Sequence, residues 1–117
     1  MSDTTGLAKS IFALSEDIRY VAIYDNGELS LNEKDGIANS SAGESDKYEE
    51  LIVNPTILKI ATQRGNIDCG GLDYVVIKYG SFFLLTLPTA YGHVSVGIEN
   101  EGDPIGIEAG VRKLIEE

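Results

Sequence analysis

Arg64-Gly-Asn-Ile-Asp-Cys-Gly-Gly71 and the run after it, Leu72 to Leu87, decide how this chain folds. The first part reads as a glycine-rich connector. Gly65 reads as the stop of the helix before it, because glycine takes the left-handed turn that ends helices. The second part reads as a β-hairpin of Asp73–Lys78 and Phe82–Leu87, turning at Tyr79-Gly80-Ser81. Asp73 and Lys78 place charges along the first of these strands, which suits a sheet edge defended against open-ended pairing. On this reading the hairpin is the centre of the fold, and the other segments pair with it or cover it.

Upstream, Leu7, Ile11, Leu14 and Ile18 recur at helical spacing and predict a helix over Thr4 to Asp17, capped by Asp3, Thr4 or Thr5. Tyr20–Tyr24 and Glu28–Leu31 flank Asp25-Asn26-Gly27. Asn-Gly between alternating apolar residues signals a tight hairpin, since its turn needs positive φ at both central positions. Val21 and Ile23 share one face; Tyr20, Ala22 and Tyr24 share the other. Both faces are apolar enough to be covered by helices. Residues 32–45 are polar, rich in serine and glycine, and without period, so they read as a flexible loop. Asp46 opens a second helix with Glu49 at its capping-box position. Tyr48, Leu51 and Ile52 form its apolar face. Asn54-Pro55 then interrupts it: asparagine suits an N-cap and proline the first helical position, so a fresh or kinked helix runs to Gln63. Ile57, Leu58, Ile60 and Ala61 are expected to pack inward. Downstream, Pro88 to Gly92 reads as a turn and His93 to Glu99 as an alternating strand. A last helix starts at Pro104 after Asp103 and runs to about Ile115.

The 117 residues predict a single domain, 1–117, and 43% hydrophobic residues allow a real core. A net charge of −10 argues against nucleic-acid binding and against docking on an anionic membrane, both of which need clustered Lys and Arg. The acidity reads as solubility, or as complementarity to a basic partner. Cys69 is the one cysteine, so no internal disulfide forms, and with no secretory signal visible the expected location is the cytoplasm. No apolar run is long enough to span a membrane.

The residue types carry no pattern for catalytic chemistry. The loop 65–71 lacks the Gly-Lys-Ser/Thr ending of a phosphate-binding loop and enters a strand instead of a helix. Cys69 sits beside Asp68, the wrong sign to lower a thiol pKa. His93 is the one histidine, and with one cysteine it makes no tetrahedral zinc site without two carboxylates. A hydrogen-bonded, partly buried histidine is the expected state. No cofactor, metal or catalytic set is expected, and the protein is read as not an enzyme. Tyr74, Tyr79, Phe82 and Phe83 read either as packing within the hairpin or as an aromatic surface for a partner.

The element order α-β-β-α-β-β-β-α resembles the Roadblock/dynein-light-chain superfamily, with the related longin and profilin-like domains. Asn54–Lys59 and Gln63–Gly71 are similar to segments of short archaeal proteins. The resemblance implies an α+β fold: a five-stranded antiparallel sheet with the second helix on one face and the terminal helices on the other. It also implies a regulatory protein-interaction module that dimerises through the second helix and the strand after it, and that serves as a platform for a small GTPase or another protein. The positions concerned are Tyr48, Leu51, Ile57, Tyr74, Val76 and Lys78. The interruption at Asn54-Pro55 and the length of loop 32–45 depart from that pattern. The alternative is a small-molecule sensor with a PAS-like or profilin-like sheet, in which loop 32–45 closes over a pocket lined by Tyr24, Tyr79 or His93.

Overall fold

A computed structural model describes residues 4–35 and 43–116. In chain order the elements are α1 (Thr4–Phe12), β1 (Ile18–Asp25), β2 (Glu28–Glu33), α2 (Gly43–Tyr48), a π-helical turn (Glu49–Val53), α3 (Asn54–Asp68), β3 (Val75–Lys78), β4 (Phe83–Thr89), β5 (Gly92–Ile98) and α4 (Pro104–Glu116). The five strands form one antiparallel sheet in the order β2-β1-β5-β4-β3. Helices cover both faces, as expected.

The alternation of β1 and β5 sets the layers. Val21, Ile23, Val94, Val96 and Ile98 point to one side, with Leu85 and Leu87 of β4. There they meet Ala8 and Ile11 of α1 and Ile107 and Val111 of α4. Each fully buried aliphatic side chain of this kind contributes about 1.5–3 kcal/mol. The opposite face carries Tyr20, Ala22 and Leu84, flanked by Leu29, Leu31 and Ile77, and the helical run 43–68 lies over it.

Several sequence expectations change. The central strand is β5, and the hairpin β3–β4 lies at one side of the sheet; β3 is on the edge, as the charges of Asp73 and Lys78 suggested. Helix α1 stops at Phe12 instead of Asp17, because Ser15 takes over the backbone: its Oγ accepts from Asp17 N at 3.1 Å. Ile18, the last residue of the helical stripe, therefore starts β1 opposite Ile98. The Asn26-Gly27 turn holds, with φ of 54° and 86°. Residues 32–45 are not one loop: Asn32 and Glu33 complete β2 and Gly43–Ser45 begin α2, while 36–42 lie outside the described residues, as does Asp3. Pro88 and Thr89 belong to β4 and not to a turn. β3 pairs no further than Thr86, so the absent N–H of Pro88 breaks no ladder bond on that side.

The helical run shows the largest correction. Asn54-Pro55 makes no break: Asn54 has φ −63° and ψ −46°, and its N–H donates to Glu49 O, one residue beyond an α-helical bond. Proline within a helix removes one bond and crowds the carbonyl four residues back. Widening the preceding turn to π geometry relieves that crowding, and Thr56 Oγ1 donates to Ile52 O at 2.6 Å. Gly65 does not stop α3, which continues to Asp68. It is instead where the chain folds back. Cys69 N and Gly71 N both donate to Gly65 O, and a Cβ at 65 would lie 2.8 Å from Gly71 O.

Candidate functional site

The run 43–68 is built inside out. Glu50, with 0% exposure, and Asn54 are buried against the sheet. Leu51 and Ile60, at 48% and 63% exposure, face solvent with Tyr48, Ile52 and Ile67. Of the eight large apolar residues exposed among the described ones, these five sit on this single run, so the exposure is concentrated and not scattered. The expected inward packing of Ile60 is thus reversed. Ile57 is half-buried and Leu58 buried. Residues four apart on a helix share one face, so Glu50 and Asn54 point inward together.

Beneath the helix, Glu50 gathers donors from three elements. Oε1 accepts from Ser95 Oγ at 2.7 Å, His93 Nε2 at 2.8 Å and Asn54 Nδ2 at 3.0 Å; Oε2 accepts from Tyr20 OH at 2.8 Å. The second hydrogen of the Asn54 amide goes to Ser95 Oγ at 3.0 Å. With its only proton on Glu50, Ser95 accepts from Thr86 Oγ1 at 3.3 Å. His93 also stacks on Tyr24, with ring centroids 5.6 Å apart. Burial, then the charge of Glu50, pushes the Tyr20 phenol far above its ordinary range.

This cluster is structural in form. Ser95 is bonded to the carboxylate and not to His93, and all three groups are sealed from solvent. They form no nucleophile–base pair of the kind covalent catalysis needs. His93 is hydrogen-bonded, as expected, but fully buried instead of partly so. Cys69 is an exposed free thiol after α3, with Sγ 3.3 Å from Asp68 Oδ1. Among the described residues no three His, Cys, Asp or Glu side chains converge as metal ligands.

Glu49, one residue earlier, faces the other way along the sheet. It does not cap a helix start, since α2 already begins at Gly43; its Oε1 accepts from Tyr79 OH at 2.7 Å. Its Oε2 is buried without a hydrogen-bond partner among the described residues. Burial raises the Glu49 carboxyl above 4.5, opposed in part by the Tyr79 bond, and Tyr79 is pushed up to about 12, first by burial and then by that bond. The folded protein therefore holds more protons than the unfolded chain between 4.5 and the raised value. Stability from this group is lost as pH rises through that window. In paired denaturation series, the wild type should gain stability relative to Glu49→Gln as pH falls from neutral toward 4.5. Parallel pH profiles would refute the assignment.

The predicted site residues divide. Tyr48 and Leu51 share the outward helix surface. Tyr74 and Val76 pack toward α1 and α4, on the other side of the sheet. Lys78 is exposed and turns back on its own hairpin, bonding Tyr79 O and Gly80 O. Tyr24, Tyr79 and His93 do not share one pocket. Tyr24 and His93 line a shallow groove beside Pro55 and Leu58, whereas Tyr79 lines a separate cavity with Glu33 and Ser45. Sequence reasoning missed Glu50 and Asn54. The signal available was their spacing of four, masked by the apolar residues around them.

Among the described residues no helix is long and apolar enough to cross a membrane. No protein-family model and no curated protein matches the chain. A solved structure, the crystal structure of a Roadblock/LC7 domain from Streptomyces avermitilis, superposes with a TM-score of 0.75 at 14% identity, covering 98% of this chain and 93% of that one. The inverted helix, the edge strand β3 and the two-sided sheet are therefore carried on the fold of a Roadblock/LC7 domain.

Proposed function

We propose that the domain is a non-catalytic interaction module that works as a homodimer in the cytoplasm and presents a platform to a small GTPase or another protein. The observation that carries this reading is the inverted helical run. Glu50 and Asn54 are buried, and Tyr48, Leu51, Ile52 and Ile60 are exposed. A helix so arranged leaves apolar surface that a second surface would cover.

The sheet edges support the same side. β2 is bounded by Glu28 and Glu33, which oppose self-pairing through like charge. β3 reads Val-Val-Ile-Lys and leaves one side of its backbone unpaired in the sheet. Antiparallel pairing of β3 with its copy gives a two-fold assembly, with the edge backbone and Leu51, Ile52 and Ile57 contributing. Tyr74 and Val76 contribute there by holding β3 against α1 and α4.

Light scattering over a range of concentrations tests this. The wild type should give twice 12.6 kDa. Ile52→Glu should weaken the dimer about 30-fold or more, the effect of losing about 2 kcal/mol at an interface centre, without loss of helical signal. A wild type of 12.6 kDa at every concentration would remove the reading.

A further inference from the structure

β2 is the sheet edge opposite β3, so a dimer built through β3 leaves it open. One bond fixes which of its backbone groups face outward. Lys34 N donates to Arg19 O at 2.9 Å, and the register runs on from there, through Tyr20↔Glu33 to Asp25↔Glu28. In antiparallel strands, hydrogen-bonded and non-bonded pairs alternate. Asn32, Ser30 and Glu28 therefore bond β1, while Leu29, Leu31 and Glu33 turn their N–H and C=O groups away from the sheet. Among the described residues no strand pairs with them. Leu29 and Leu31 are half-buried against the layer of Tyr20, Ala22 and Leu84, and the two ends of the strand, Glu28 and Glu33, are exposed. Neither glutamate forms a salt bridge among the described residues. The next cation along the chain, Lys34, is turned away and donates to Glu16 O at 2.7 Å.

We infer that β2 receives an extended, basic segment of another protein as an added antiparallel strand. The outward backbone groups of Leu29, Leu31 and Glu33 supply the hydrogen bonds, and the end charges select the occupant. A second copy of β2 would set Glu28 against Glu33 at both ends, which is repulsive. A segment with Lys or Arg at both ends sets opposite charges at the same places. Facing residues 33 to 28 in turn, its order is basic, any, apolar, any, apolar, basic. The two apolar side chains lie beside Leu31 and Leu29 and extend the layer those residues belong to. The net charge of −10 draws such a segment in, and binding should weaken with salt.

The test is NMR titration of the full chain with the end-blocked peptide Lys-Thr-Val-Thr-Val-Lys, with Glu-Thr-Val-Thr-Val-Glu as the charge-reversed control. The expected result is saturable binding of the basic peptide with Kd below about 1 mM, and about tenfold weaker binding of the acidic one. At saturation, amide exchange should slow at Leu29, Leu31 and Glu33 and stay unchanged at Ser30 and Asn32, whose N–H groups already bond β1. The double variant Glu28→Lys, Glu33→Lys should reverse the preference between the two peptides. Should that variant fail to fold, the alternating exchange pattern in the wild type decides alone. No saturable binding of the basic peptide, equal binding of both, new protection at β3 or without the alternation, or an unchanged preference in the folded double variant would each overturn the assignment. None of these outcomes depends on the solution mass of the protein, so the test stands apart from that of the dimer.

Discussion

Glu50→Ala is expected to remove about 3–5 kcal/mol of folding stability, the loss typical of breaking a buried charged network by deleting one member. Against a total of about 5–15 kcal/mol for a domain, that leaves the protein marginal or unfolded. The reason is the number of donors that converge on one side chain. Tyr20 OH, Asn54 Nδ2, His93 Nε2 and Ser95 Oγ all end on this carboxylate, and water does not reach the site. Deleting it strands donors from β1, α3 and β5 together, each costing about 1–3 kcal/mol when left unpaired. Glu50→Gln should cost less, about 1–2 kcal/mol. Its carbonyl can still serve the three donors at Oε1, while the Tyr20 hydroxyl turns to accept from the new amide. Urea denaturation of the two variants beside the wild type measures the order. A Glu50→Ala midpoint equal to that of the wild type would show that the network does not hold the helix to the sheet.

Gly92→Ala should be nearly as damaging, at about 3 kcal/mol or more, for a reason unrelated to charge. A Cβ at 92 would stand 1.8 Å from Tyr24 O and 2.7 Å from Tyr24 C. Both are backbone atoms of β1, at the end of the ladder that pairs Asp25 with Gly92. A side-chain tip can swing aside, but a paired strand cannot without losing its hydrogen bonds. The control is Gly80→Ala, where nothing lies within 4 Å of the added Cβ and φ is not positive. That change should stay within about 0.5 kcal/mol of the wild type in thermal unfolding. Equal effects at the two positions would refute the steric account.

The sheet was legible where its signals are local. Asn26-Gly27 fixed the first hairpin through its φ requirement, and the alternation of Val94, Val96 and Ile98 fixed β5 and its faces. The element order carried the fold class. Strand order was legible only in part: the charges of Asp73 and Lys78 mark an edge, but nothing local marks β5 as the centre, since its pairing with β1 joins segments distant in sequence. The candidate site was mostly hidden for a physical reason. Pattern reading assigns apolar residues inward, and here Leu51 and Ile60 point out while Glu50 and Asn54 point in. Asn54-Pro55 misled in the same way, since the π turn that absorbs the proline leaves no mark in residue periodicity. In the pair Glu49-Glu50, the first reads as a capping-box residue and the second carries no pattern of its own. Only the distant Tyr20, Tyr79, His93 and Ser95 reveal that its two carboxylates serve two different rooms of the molecule.

The central position of β5 carries a consequence for how the molecule comes into being. Each hairpin, β1–β2 and β3–β4, is local and can form as soon as it leaves the ribosome. Neither has its neighbour until residues 92–98 arrive, because β5 alone joins them, placing Val94 beside both Ile23 and Leu87. From the completion of β2 at Glu33 onward the nascent chain thus holds a half-sheet whose apolar inner edge at β1 stays open until β5 follows β4. The sheet closes as a late keystone, by contacts distant in sequence, and the speed of folding is set by that one insertion.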